Sequence, residues 1–245
     1  MGTYRESHVG ADRGNIYDQR YQIGSEKFYW DSFEQPLLNM IFKDLRRSHP
    51  GRYLDFAVGT GRIMQIAAPY FDDVVGVDIS NDMIVESRKK VPTAQFVVGD
   101  VTKENLDVGK FNVITCFRFV LNAEPQLRED VLMWLRAVIS DNGVLVINNH
   151  LNRSSATGLY CRLTNFVRNE QKHNLLSDIE IKELLDRCDF KVDKRYGFGV
   201  VPVWRNRLLL PRGILKTVET MLMNVPLLAH FAKDFIYICS PKQLP

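Results

Sequence analysis

The 245-residue chain carries a net charge of +3, with 45% hydrophobic and 25% charged residues, a balance ordinary for a globular enzyme that fills a substantial core. A sequence pI near 8.6 is too mild to imply nucleic acid by itself, and nucleic acid is not expected as a partner. Without an apolar leader core or a run of about 18 apolar residues, and with Cys116, Cys161, Cys188 and Cys239 at no metal-ligand spacing, the expectation is a metal-free protein with buried free thiols in a reducing, cytoplasmic compartment.

In chain order, residues 1–14 are polar and expected to fray. Asn15 to Trp30 is dense in aromatics, which read either as a cap over a ligand or as a staple of this segment to the core. Phe33, Leu37, Met40, Ile41 and Leu45 recur at helical spacing, giving an amphipathic helix that stops before Pro50-Gly51.

The chain is organised around Tyr53-Leu54-Asp55-Phe56-Ala57-Val58-Gly59-Thr60-Gly61-Arg62. A β-branched and aromatic run breaks on two glycines, and the periodic residues Ile63, Ile66 and Ala67 follow at once, so a buried strand, a tight turn and a helix start are predicted. Glycine lets backbone approach a ligand closely, and N–H groups opening a helix attract negative charge. Val74 to Asp78 is a second strand ending in an acid, with Ser80 placed to cap the helix Asn81 to Lys90. Gln95 to Asp100 is a third apolar strand ending in an acid. Three acids thus stand where open α/β sheets bind ligands, at the carboxyl ends of strands, and the second suits a ribose diol.

The segments Asp55 to Gly61, Gly76-Val77-Asp78-Ile79-Ser80 with Met83, and Gly99-Asp100-Val101 resemble the successive motifs of the class I S-adenosylmethionine-dependent methyltransferases. The resemblance implies that backbone around Gly59 and Gly61 cradles the methionine part of S-adenosylmethionine and that Asp55 holds its ammonium. Asp78 would bind the ribose, Met83 would line the adenine and Asp100 would bond its amine, with Ala57, Ile79, Val101 and Cys116 completing the cofactor shell. Tyr17, Arg20 and Tyr21 would belong to a helical cap. Ala57 stands where the family's first glycine usually sits, which a methyl tolerates at negative φ. A nicotinamide-binding domain is the rival, but its fingerprint needs a third glycine and Met64 occupies that position.

Phe111 to Phe117 and Val144 to Ile147 are the fourth and fifth strands, separated by a helix from Pro125 to Ile139 that Asp141-Asn142-Gly143 stops. Ser177 to Glu180 forms a capping box before a helix with Ile181, Leu184 and Leu185 inward. Phe190 to Tyr196 and Phe235 to Cys239 are the sixth and seventh strands. The fold class expected is an α/β, Rossmann-like, doubly wound seven-stranded sheet, mostly parallel, with an antiparallel edge strand. A single domain is expected: a cap over residues 1–50, a cofactor core over 51–150, substrate-side segments over 151–234 and the last strand over 235–240.

An insert, residues 197–234, separates the last two strands. On its helix Ile214, Leu215, Val218, Met221, Leu222 and Val225 share one face, with Lys216, Glu219 and Thr220 opposite. Arg205, Arg207 and Arg212 precede it, so residues 205–233 suit peripheral contact with an anionic membrane, a lid or a dimer contact.

For the chemistry, His150 at the end of the fifth strand is the expected general base, with an ordinary pKa near operating pH. Arg118, Asn122 and Tyr160 are the expected substrate contacts, with Arg162, Arg168 and His173 as weaker candidates; Arg118 either holds an anionic group or pairs with Asp100 or Glu124. The expected activity is methyl transfer to a small-molecule, glycan or lipid-linked acceptor, at oxygen in preference to nitrogen. The alternative is a non-catalytic, methyltransferase-like binding or membrane-surface assembly protein.

Overall fold

A computed structural model describes residues 23–168, 174–202, 208 and 210–243. Tyr17, Arg20, Tyr21, His173, Arg205 and Arg207 lie outside the described residues.

The strands are β1 (Arg52–Phe56), β2 (Asp73–Asp78), β3 (Gln95–Val98), β4 (Phe111–Cys116), β5 (Ile139–His150), β6 (Phe190–Phe198) and β7 (Asp234–Pro241). They form one sheet in the order β3-β2-β1-β4-β5-β7-β6, in which only β7 runs against its neighbours. The helices are α1 (Gly24–Tyr29), α2 (Gln35–Ser48), α3 (Arg62–Ala67), α4 (Asn81–Lys90), α5 (Pro125–Val138), α6 (Ala156–Arg168), α7 (Asp178–Arg187), α8 (Arg212–Met223) and α9 (Pro226–Ala229).

Alternate strand residues feed two cores, as the period-2 pleat requires. Leu54, Val75, Ile114 and Leu145 face Leu132 and Leu135 of α5 and Leu185 of α7. Tyr53, Val74, Val113 and Val146 face Leu38 and Phe42 of α2 and Met64 of α3. Met64 reaches β2 because Gly76 presents no side chain there; a Cβ would stand 2.7 Å from the Met64 methyl. Close helix–strand packing is obtained from a glycine on the strand, which is why this loop dispenses with a third glycine on the helix.

Three local expectations are corrected. The α2 face is Leu38, Ile41, Phe42 and Leu45, while Met40 is exposed. A π-helical turn over Trp30–Glu34 adds one residue to the turn, so Leu38 takes the fully buried position after Phe33 while Leu37 packs partly buried against the same core. Asp141-Asn142-Gly143 does not separate α5 from a short strand. Ile139 is already extended and pairs with Phe111, and the strand runs through to His150 with a register shift. The capping box at Ser177 and the Ser80 cap are present as expected.

The third correction concerns α8. It buries Leu215 and Glu219 and leaves Ile214 and Met221 exposed, so Glu219 is not on the solvent face. Its carboxylate accepts from Val200 N (2.6 Å), Val201 N (3.0 Å) and Tyr29 Oη (3.3 Å). These donors lie beyond the end of β6 and on α1, so a charge that sequence pattern assigns to water instead fastens the insert to the rest of the chain.

Candidate cofactor and acceptor site

Two adjoining clefts open at the carboxyl ends of β1, β2 and β4, where the glycine loop leaves β1. The larger, about 640 Å³, is lined by Asp55, Ala57, Gly59, Arg62, Asp78, Met83, Arg118 and Asn122 among others. The smaller, about 390 Å³, shares Ala57 and Asp78 and adds Ile79, Asp100, Val101 and Phe119.

Asp55 is the deepest acid. Its Oδ1 accepts from Thr115 Oγ1 at 2.7 Å, and Thr115 lies 2.6 Å from Tyr53 Oη. Because the Thr115 proton is committed to Asp55, the Tyr53 hydroxyl donates to Thr115, and a three-residue relay fixes the carboxyl. Parallel pairing makes this possible by placing Asp55 opposite Thr115. Asp55 Oδ2 is buried with no hydrogen-bond partner among the described residues. Burial pushes the Asp55 pKa up to about 8, against the downward pull of the Thr115 hydroxyl and the Met64 amide.

Asp78 accepts from Gly59 N (2.8 Å) through Oδ2 and from Ser80 N (2.9 Å) through Oδ1, so it joins the glycine loop to the start of α4. Asp100 lies just past β3 and accepts from the amide (3.0 Å) and hydroxyl (2.7 Å) of Thr102.

The loop itself departs from expectation at Ala57. Its φ is +54°, in the left-handed region, so the negative φ that would ease a methyl is not adopted. The strain is of order 1–2 kcal/mol. Gly61, at φ +77°, is needed for a further reason: a Cβ there would stand 2.3 Å from Ser87 Oγ of α4. Gly61 therefore fits α3 against α4 and is absent from the walls of both clefts, as is Cys116, a fully buried thiol.

On the acceptor side Arg118, also at positive φ (+61°), donates its backbone N–H to Asn148 Oδ1 at 2.7 Å. Its guanidinium pairs at 3.0 Å with Glu34, a 3% exposed residue of the π turn. The expected structural partners were Asp100 and Glu124; the ion pair runs to Glu34, brought over by the N-terminal helical segment. Asn122 Nδ2 donates to the Arg118 carbonyl (2.8 Å), closing that wall.

His150 stands at the end of β5, opposite Asp234 of β7 and two residues beyond Asn148. It is not among the residues lining either cleft. Tyr160 is 39% exposed on α6, also outside both walls.

Sequence reasoning missed Arg62, whose guanidinium carbon lies 4.1 Å from the Trp30 ring centroid and which lines the larger cleft. Its place directly after Gly61 was the available signal. Phe117 and Phe119, beside Arg118, supply apolar wall and were readable from the same segment.

The clefts suit S-adenosylmethionine: an orphaned carboxylate oxygen sits deep in one, an acid stands where a ribose would be met, and apolar groups flank both. Residues 54–143 match the methyltransferase domain model. Over 83 residues, 34% of this chain, identity is 35% to a demethylmenaquinone methyltransferase of Beutenbergia cavernae; the match spans 35% of that relative's length. The fold is shared with magnesium protoporphyrin IX methyltransferase of Synechocystis PCC 6803, solved with bound S-adenosylhomocysteine (14% identity, TM-score 0.64, 95% of each chain). It is shared too with a possible histamine N-methyltransferase of Thermotoga maritima (16% identity, TM-score 0.63, 94% of this chain and 95% of that one). Glycine loop, strand-end acids and matched segment coincide: residues 54–143 match the methyltransferase domain family, and the remaining strands complete a fold shared with solved S-adenosylmethionine-dependent methyltransferases.

Proposed function

We propose that the chain transfers a methyl group from S-adenosylmethionine to a small-molecule acceptor, glycan- or lipid-linked molecules included, at oxygen in preference to nitrogen. The observation that carries the reading is the unpartnered, buried Oδ2 of Asp55, set in the same cleft as Asp78. Relatives named for demethylmenaquinone and for magnesium protoporphyrin IX support a small-molecule acceptor.

Asp55 and the loop around Gly59 hold the amino-acid end of the cofactor, Asp78 the ribose, and Ile79, Met83, Asp100 and Val101 the base. When bound, S-adenosylmethionine supplies an electrophilic methyl on a sulfonium. Arg118 and Asn122 then line the acceptor's approach, held in place by Glu34 and Asn148. Alignment of acceptor and donor supplies much of the rate in such a displacement. His150, outside both cleft walls at the end of β5, serves as the base for an acceptor whose hydroxyl extends past Asn148 to its imidazole.

Calorimetric titration with S-adenosylhomocysteine tests the cofactor assignment. Micromolar binding is expected, weakened about 100-fold in Asp78→Ala by loss of charge-assisted bonds. No binding by a folded protein sinks the reading. Once an acceptor is in hand, His150→Ala should lower kcat with cofactor affinity retained, whereas an unchanged pH–rate profile removes His150 as base.

A further inference from the structure

Asp55 is enclosed by groups that do not welcome its charge. From β4 the Thr115 hydroxyl reaches Oδ1 at 2.7 Å, and α3 offers the Met64 amide; both donors are uncharged. The charge that acts on it from β2 is a second acid, Asp78, which also disfavours ionisation. Tyr53 of β1 and Cys116 of β4 lie close, and burial holds both protonated. Of the two arginines lining the same cleft, Arg118 is matched by Glu34 at 3.0 Å and Arg62 is stacked on Trp30. An ionised carboxylate so placed is costly, in keeping with a pKa raised by burial to about 8.

The hydrogen-bond pattern also says which oxygen carries the acid hydrogen. Thr115 donates to Oδ1, so Oδ1 is the carbonyl oxygen of the neutral acid. The hydrogen therefore sits on Oδ2, which has no partner among the described residues. Under the methyl-transfer reading, on which this inference rests, the cofactor's ammonium donates to that same oxygen. An acid hydrogen and an ammonium hydrogen compete for one site, and ion pairing favours the carboxylate.

We propose that Asp55 is a neutral acid before the cofactor binds and that the incoming ammonium displaces its proton, so that cofactor capture is coupled to release of one proton. The Oδ2–H bond breaks, the ammonium keeps its hydrogens and pairs with the carboxylate, and the proton passes to a buffer base. The relay from Tyr53 through Thr115 is unchanged by the exchange.

The test is calorimetric titration of the full chain with S-adenosylhomocysteine at pH 7 in phosphate and in Tris, two buffers of different ionisation enthalpy. The slope of observed enthalpy against ionisation enthalpy counts protons, and about 0.9 released per ligand is expected for a group titrating near 8. Affinity should rise about tenfold from pH 6 to 7 and flatten near 8. Asp55→Asn should bind S-adenosylhomocysteine more weakly, with a slope near zero and a flat pH response. 5′-Methylthioadenosine, which lacks the amino-acid end, should bind the parental protein with a slope near zero, and this arm decides the matter if the variant does not fold. A zero slope for S-adenosylhomocysteine in the parental protein overturns the coupling and leaves methyl transfer standing. A slope retained in Asp55→Asn, or matched by 5′-methylthioadenosine, assigns the proton to another group and overturns it as well. No binding of S-adenosylhomocysteine by the folded protein overturns both readings.

Discussion

In the half of the sheet that holds the glycine loop, Asp55 is 1% exposed and one of its oxygens has no partner among the described residues; in the half that holds the insert, Glu219 is 0% exposed and its carboxylate takes three donors. Asp178 resembles Glu219: it accepts from Tyr237 Oη at 2.9 Å and from Lys182 at 2.9 Å, and also pairs with Arg195. Burial alone therefore does not mark an acid as a binding group. What separates the two kinds is an unsatisfied oxygen on an acid that lines a cleft, because an orphaned buried acceptor is costly unless a ligand supplies the donor; Glu34 also has an unsatisfied oxygen but lines neither cleft.

Removing each acid tests that distinction. Glu219→Ala leaves two amides and a tyrosine hydroxyl without their acceptor, and a loss of about 3 kcal/mol is expected in urea denaturation. A loss below about 1 kcal/mol would break the comparison by showing that water replaces the carboxylate readily.

Asp55→Asn acts the other way. With a folded pKa of about 8, above its unfolded value, Asp55 binds more protons folded than unfolded. Its contribution is fully present below the unfolded pKa and is lost as pH rises through about 8. Between pH 7 and 8 the wild type should lose about 1 kcal/mol relative to Asp55→Asn, read from paired denaturation curves. Parallel pH dependences would place the carboxyl in contact with water.

The smallest effect is expected at the loop. Ala57→Gly relieves left-handed strain but adds unfolded-state freedom, for a net gain of about 0.5–1 kcal/mol. Thermal melting measures it, and a destabilised variant would mean that the methyl contributes packing greater than its strain.

The two regions also differ in how far the sequence exposes them. Asp55, Asp78 and Asp100 were readable because each stands at or just past the carboxyl end of a short strand, so one local pattern reports both element and position. The antiparallel strand was expected from the family resemblance, but the strand order, which places β7 between β5 and β6, has no local signature in the sequence. The Glu34–Arg118 pair joins residues 84 apart, and no local signal announces it. Glu219 was misplaced because a helical wheel sends charges to water, and only the amides beyond β6 supply the reason it turns in. A π turn, which carries no residue signature of its own, moves the fully buried position from Leu37 to Leu38, while Ile41 and Leu45 face inward as expected. For Ala57 the residues supplied only a condition, that a methyl is eased at negative φ; the loop imposes the left-handed conformation that is rare for alanine.

The position of β7 has a consequence for how the chain is made. β7 lies between β5 and β6, yet it is the last of the three to leave the ribosome. Until it emerges, the outer edge of β5 and the whole of β6 offer unpaired amides and carbonyls, the template on which misassembly begins. The intervening residues include α8 with its exposed apolar groups, so the nascent chain carries open strand edges and a sticky helix together. Synthesis that stalls before Asp234 would leave the edges of β5 and β6 open, and the remainder prone to aggregation.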